Sequence, residues 1–171
     1  MSNPLLQPAE IDIKKDEPRW ETALPDYDHL VKKAVFSALA HINALENSHN
    51  LPEISITLCN DSQIQKLNAL YRGKDKPTNV LSFPQIDWSD ENWHIEPVLL
   101  LGDIVISLDT IEREAQAQNK SLANHFIHMI IHSVVHLCGY DHENDKEAEE
   151  METLEIEILN DLGIENPYQT F

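Results

Sequence analysis

The stretch His132-Ser-Val-Val-His136-Leu-Cys-Gly139-Tyr-Asp-His142 spaces three imidazoles so that they can converge on one metal ion. On a helix, residues four apart stack on the same face about 6 Å from one another, so His132 and His136 can grip a single cation. Gly139 can take the left-handed conformation that ends a helix, and the turn after it can carry His142 back toward the first two rings. Three protein ligands with a coordination position left over is the arrangement of a catalytic zinc, whereas structural zinc is normally closed by four ligands, often cysteine. The chemistry this predicts is metal-assisted.

The same helix also carries His125 and His128 in an apolar background of Phe126, Ile127, Met129, Ile130, Ile131, Val134 and Val135. Burying several imidazoles without partners costs free energy for each, and a shared cation satisfies them together. His128 and His132 are also four apart, but their third ligand would have to come from the same rigid helix. Three histidines at successive turns are too far apart to share one ion at ligand distances of ~2 Å. His132, His136 and His142 are therefore the predicted metal ligands; His128 is supporting or structural, and His125 faces solvent. The spacing H-x3-H-x5-H matches the zinc site of metzincin proteases, in which a glutamate follows the first histidine and activates water. Here that position is Ser133, which cannot serve as that base. Asp141 and Glu143 flank the third ligand as possible substitutes or plain surface acids, and a peptidase-like metal hydrolase becomes the weaker reading.

The elements that must hold these residues follow from periodicity. Ile11-Asp-Ile13-Lys predicts a short opening strand, with a Pro-marked connection through Pro18 and Pro25. Leu30, Val31, Ala34, Val35, Ala38 and Leu39 predict a helix from about Asp26 to Asn47. Ile54, Ile56 and Leu58 alternate with Ser55 and Thr57, a strand packing one face from Glu53 to Cys59. Asn60 and Asp61 cap a helix that Arg72-Gly73 stops, and Val80-Leu-Ser-Phe83 is a brief strand closed by Pro84. The aperiodic polar stretch from Gln85 to Pro97 reads as a surface excursion. Val98 to Ile106 reads as a buried strand in which Gly102 marks a bulge or a close backbone approach. Helices follow over about Asp109–Asn119, capped by Asp109 with Glu112 three residues on, then Ser121–Cys138 and Asp145–Leu162. Met151, Leu154, Ile158 and Leu162 form the inner side of the last one. The predicted fold class is α+β: one domain over residues 1–171, a small mixed four-stranded sheet packed against about five helices, with the metal site on a C-terminal helix and the turn after it.

At 171 residues the chain can bury roughly 70% of its unfolded surface without disulfides. Cys59 and Cys138 give no sign of pairing, no export signal is visible in MSNPLLQPAE, and no run approaches the ~20 apolar residues of a membrane span. A cytoplasmic location is the plain expectation. The formal charge of −18 argues against a general nucleic-acid coat, but it is unevenly distributed. Eleven of the thirty acids lie between Asp141 and Glu165, while Lys66, Arg72, Lys74 and Lys76 form a short basic cluster. That cluster is either a solvated loop or a local anion site.

The basic cluster belongs to Leu67-Asn-Ala-Leu-Tyr71-Arg72-Gly-Lys-Asp-Lys-Pro77-Thr78-Asn-Val-Leu81-Ser82-Phe83-Pro84, a helix end, a loop and a strand. Arg72 offers a fork suited to a phosphate, or else it only satisfies the last helix carbonyls. Together with HSVVHLCGYDH and Leu101-Gly-Asp103-Ile, this segment resembles the YbeY family of bacterial endoribonucleases, with three blocks matching in order from Glu53 to about Glu150. The resemblance implies a single-strand-specific endoribonuclease with one Zn2+ per chain on His132, His136 and His142, and with Arg72 contributing to activity. It also implies action on ribosomal RNA, in maturation of the 16S rRNA 3' end and in ribosome quality control. Ribosomal RNA and a ribosomal particle or its proteins are the implied partners, with no membrane and no DNA. Ser133, where the family has glycine, and Asn79, where it has an acid, depart from the pattern. A different class of reading is a ribosome-associated assembly factor whose metal is structural.

Overall fold

The alternation of Ile54, Ile56 and Leu58 becomes the central ladder of the molecule. This computed structural model describes residues 9–42, 50–95 and 98–169. The elements in chain order are β1 (Glu10–Lys15), α1 (Trp20–Ala23), α2 (Tyr27–His41), β2 (Pro52–Cys59) and α3 (Asp61–Arg72). They are followed by β3 (Val80–Pro84), a single 3-10 turn at Trp93–Ile95, β4 (Leu99–Ser107), α4 (Leu108–Ala117), α5 (Leu122–Leu137) and α6 (Asp145–Asp161). The sheet runs β1-β2-β4-β3, with parallel pairing of β1 to β2 and β2 to β4 and antiparallel pairing of β3 to β4. The α+β class and the four-stranded mixed sheet agree with the reading from periodicity. The helices number six among the described residues rather than five, because the Pro-marked connection contains the one-turn α1. The predicted continuation of α2 to Asn47 falls outside the described residues.

One face of β2 is fully buried, with Ile54, Ile56 and Leu58 each at most 1% exposed, while Ser55 and Thr57 are half-buried. Ile104 and Ile106 of β4 continue that face, and α2 and α5 cover it with Val31, Ala34, Val35, Ile130 and Val134. A smaller cluster of Cys59, Ile64, Leu81 and Val105, with Leu67 and Phe83 against it, joins α3 to the sheet. Trp20 locks the start of the chain to this frame: its indole N–H donates to the Cys59 carbonyl at 3.0 Å, and its ring lies 5.3 Å from Phe126.

Gly102 answers both expectations placed on it. The register slips between Glu53 and Ile54 of β2, leaving Leu101 as the extra residue of a bulge on β4. A Cβ at Gly102 would lie 2.3 Å from the Phe83 carbonyl oxygen and 2.9 Å from a Leu137 methyl, and φ is +147°. A glycine there lets β3 and the end of α5 close on β4.

The capping reading of α4 needs correction. The helix begins at Leu108 after Ser107, whose side chain makes no cap; its hydroxyl instead donates to Asp61 Oδ1 at 2.6 Å. Asp109 sits inside the first turn, where it accepts the Asp61 backbone N–H at 2.9 Å and pairs with Arg19 at 2.7 Å. Long-range partners displaced the local cap. No helix among the described residues is long and apolar enough to cross a membrane.

Candidate metal centre and phosphate pocket

Along α5 from His125 to Leu137 every residue is buried except His132 and His136, which are half-buried. The helix is wrapped by α2, β3 and α6, and those two rings, one turn apart, are its openings. Gly139 then turns the chain at φ +100° with its α-carbon packed under Trp88, where an added Cβ would meet the indole at 3.1 Å. The stretch from Gln85 to Pro97, read as a surface excursion, thus contributes a support. The Trp88 indole N–H donates to the Leu137 carbonyl at 3.0 Å, satisfying an otherwise open carbonyl at the end of α5.

A pocket of about 310 Å³ is lined by His132, His136 and His142 together with Arg72, Thr78, Asn79, Val80, Leu81 and Ser82. It lies where the end of α3 and the edge strand β3 meet α5. Arg72 stands sixty positions before His132 in the chain, yet it shares this cavity. It is not needed as a helix cap. Gly73, at φ +67°, donates its N–H to the Ala69 carbonyl, and Lys74 donates to that of Asn68. Arg72 makes no ion pair among the described residues, so its guanidinium is available to the pocket. No carboxylate lines the cavity, although the chain carries thirty acids. Asp141 and Glu143, weighed as bases, are outside it; Asp141 Oδ1 accepts the His142 backbone N–H at 2.8 Å.

The ring orientations are set from behind. His132 Nδ1 is 3.0 Å from Glu155 Oε1, and His136 Nδ1 is 3.0 Å from the Tyr140 carbonyl. Both partners are acceptors, so each Nδ1 carries a proton, and Nε2 is the nitrogen that a neutral ring would offer to a metal ion. That donor set suits a borderline divalent ion such as zinc. His132 and His142 stand 6.4 Å apart between ring centroids, somewhat wider than the roughly 5 Å of two imidazoles sharing one ion at ~2 Å bonds. Among the described residues no group of three or more His, Cys, Asp or Glu is already gathered to hold a metal ion. His142, on the turn with its side chain 65% exposed, is the most exposed of the three.

Glu155 was not singled out by the sequence. It is 0% exposed and accepts from His128 Nε2 at 3.1 Å, His132 Nδ1 at 3.0 Å and the Tyr168 hydroxyl at 3.1 Å. Burial raises its carboxyl, but the hydrogen bonds from His128 and His132 outweigh that and hold it down at about 2. Burial pulls His128 below its usual 6.5, so His128 is a neutral donor to an ionised Glu155. A signal for Glu155 did exist: it lies four residues after Met151 and three before Ile158, on the apolar stripe of α6 itself.

His128 thus lies behind the pocket rather than in it. His125 does not face solvent: it is 3% exposed, and its Nε2 lies 3.0 Å from Glu114 Oε1. Glu114 also accepts from the Asn79 amide at 3.1 Å. The amide at position 79 therefore bonds a carboxylate that a second acid there would repel. Both cysteines are free and buried, and burial raises each thiol to about 12, so neither offers a ready thiolate.

A family model described as Endoribonuclease YbeY matches residues 12–163. A protein of Paramagnetospirillum magneticum named Endoribonuclease YbeY is 44% identical over 161 residues, 93% of this chain and 95% of the relative. A relative of the same name from Acinetobacter baylyi is 48% identical over 140 residues, 81% of this chain and 85% of its own length. The solution structure of a Thermotoga maritima protein superimposes with a TM-score of 0.54 at 23% identity, covering 90% of this chain and 91% of the other, which supports the fold alone.

Proposed function

Since the chain belongs to the endoribonuclease YbeY family, a hydrolase of RNA phosphodiester bonds, we propose that it cuts single-stranded ribosomal RNA at the pocket shared by Arg72 and the three histidines. The observation that carries this reading is that shared pocket. A guanidinium and three imidazole nitrogens from distant parts of the chain face one acid-free cavity, in a protein whose net charge would otherwise repel RNA.

His132, His136 and His142 would hold one zinc ion. When bound, such an ion supplies Lewis acidity toward a phosphate oxygen and lowers the pKa of water toward neutrality. Glu155 and the Tyr140 carbonyl fix two of the rings in the tautomer that presents Nε2. Arg72 binds the phosphate through two N–H groups and stabilises the charge that grows on its oxygens as the phosphorus becomes five-coordinate. The hydroxyls of Thr78 and Ser82 line the same cavity and can donate to phosphate or ribose oxygens. Without a carboxylate in the lining, the pocket lacks the glutamate base on which a metzincin-like peptidase depends.

The proposed setting is the cytoplasm, with the ribosomal particle supplying the positioning that the chain's own surface charge does not. Metal-loaded protein, a chelated sample and the chelated sample given back zinc would be incubated with structured ribosomal RNA. Cleavage should disappear with chelation and return with zinc. Cleavage that ignores chelation would refute the metal role, and folded, zinc-loaded protein that leaves single-stranded regions intact would refute the substrate.

A further inference from the structure

Tyr71 precedes Arg72 at the last turn of α3 and is 63% exposed, and its neighbour Leu70 is 73% exposed. Its ring is nonetheless held: it meets Phe83 edge-on, with centroids 5.1 Å apart and planes at 64°. Phe83 in turn follows Ser82, a residue of the pocket lining, and packs on the cluster of Ile64, Leu81 and Val105. The result is an oriented aromatic ring, open to solvent, one residue from the pocket's guanidinium. Lys74 and Lys76, both exposed, continue the chain beyond it. The exposed Asp103 pairs with Phe83 in the strand ladder, so a phosphate near this ring is repelled on that side and drawn toward Arg72.

We infer that Tyr71 is a stacking platform for one nucleobase of single-stranded RNA, the base whose flanking phosphodiester enters the Arg72 pocket. The inference rests on the RNA-cleavage reading above and adds a source of strand selectivity to it. Every nucleobase has a π face, so stacking on tyrosine tolerates any sequence. A base in a duplex is already stacked on both sides and has no face to offer, so this contact selects unpaired RNA.

The test is binding of a short single-stranded RNA, followed by fluorescence anisotropy, with the RNA checked for intactness and cleavage scored in parallel. A second set of oligonucleotides carries one abasic site walked along the sequence. Tyr71→Leu keeps an apolar side chain against Phe83 but has no π face, and it should weaken binding about tenfold. Tyr71→Phe and Tyr71→Trp should bind like the wild type. At one position the abasic site should weaken wild-type binding by a similar factor and leave Tyr71→Leu unaffected. If Tyr71→Leu binds and cuts like the wild type while Arg72→Ala is impaired, the stacking role is overturned and the RNA-cleavage reading stands. If Tyr71→Phe loses as much as Tyr71→Leu, the hydroxyl and not the ring is responsible, and stacking is again overturned. If the wild type neither binds nor cuts the RNA, both readings fall.

Discussion

At position 155 a buried carboxylate accepts hydrogen bonds from two imidazoles and a phenol, and one of those imidazoles opens into the pocket. Glu155→Gln keeps an oxygen for the His132 N–H but removes the charge that makes the ring basic, so zinc affinity should fall roughly tenfold or more. Competition with a chelating dye measures that without reference to cleavage. Glu155→Ala leaves three donors unpaired around an unfilled site and should cost about 3 kcal/mol or more in denaturant unfolding. Ser133 predicts the opposite sign. Its hydroxyl is buried with no hydrogen-bond partner among the described residues, so Ser133→Ala should match or slightly exceed the wild-type melting temperature while keeping zinc. At this scale spacing was enough to place His132 and His136 on one pocket, since i and i+4 on a helix need no tertiary knowledge. Glu155 was legible only from its place between Met151 and Ile158 on the inner stripe, a weak signal on a helix so rich in solvated acids. His125 was misjudged, as its partner Glu114 comes from another helix.

Elements place the site, and their weak points are identifiable. Gly102→Ala drives a Cβ into the Phe83 carbonyl at a positive φ, with no flexible side chain to yield. It should destabilise the protein by about 3 kcal/mol or more and loosen β3, whose residues 80–82 line the pocket. The junction of α3 with α4 depends on Asp61, which accepts from Ser107, Thr110 and Arg113. Burial raises the Asp61 carboxyl, but those bonds prevail and hold it below its ordinary 3.8. A carboxyl lowered by folding stabilises the native state above its unfolded value, and that stability is lost as pH falls through the folded one. Chemical denaturation below about pH 4 should therefore show wild type converging toward Asp61→Asn, with the gap widest near neutrality. The α3 caps were legible because they are local: Asn60 accepts the Gln63 N–H, and Gly73 is left-handed. The start of α4 was not, because Asp109 answers Arg19 and Asp61 rather than its own helix.

On the scale of the whole molecule, the net charge of −18 and the acid-free pocket make opposite demands on RNA. The basic residues clustered beside the pocket's arginine are few, Lys66, Lys74 and Lys76, so few counterions should be displaced when a single strand binds. With three or so phosphates engaged, log K against log salt should fall with a slope of about −2, far from that of a broadly basic RNA binder. The α+β class and the order of most elements could be read from period and punctuation. That the loop after α3 reaches α5 could not, because it depends on the antiparallel return of β3 along β4. The proposed centre joins a histidine-held ion to Arg72 in one pocket for phosphodiester cleavage. Its most direct test measures zinc content and ribosomal RNA cleavage on the same samples of wild type, His136→Ala and Arg72→Ala. His136→Ala should lose both zinc and cleavage, while Arg72→Ala should keep its zinc and cut about a hundredfold more slowly. Arg72→Ala cutting at the wild-type rate, or His136→Ala cutting without zinc, would contradict the proposal.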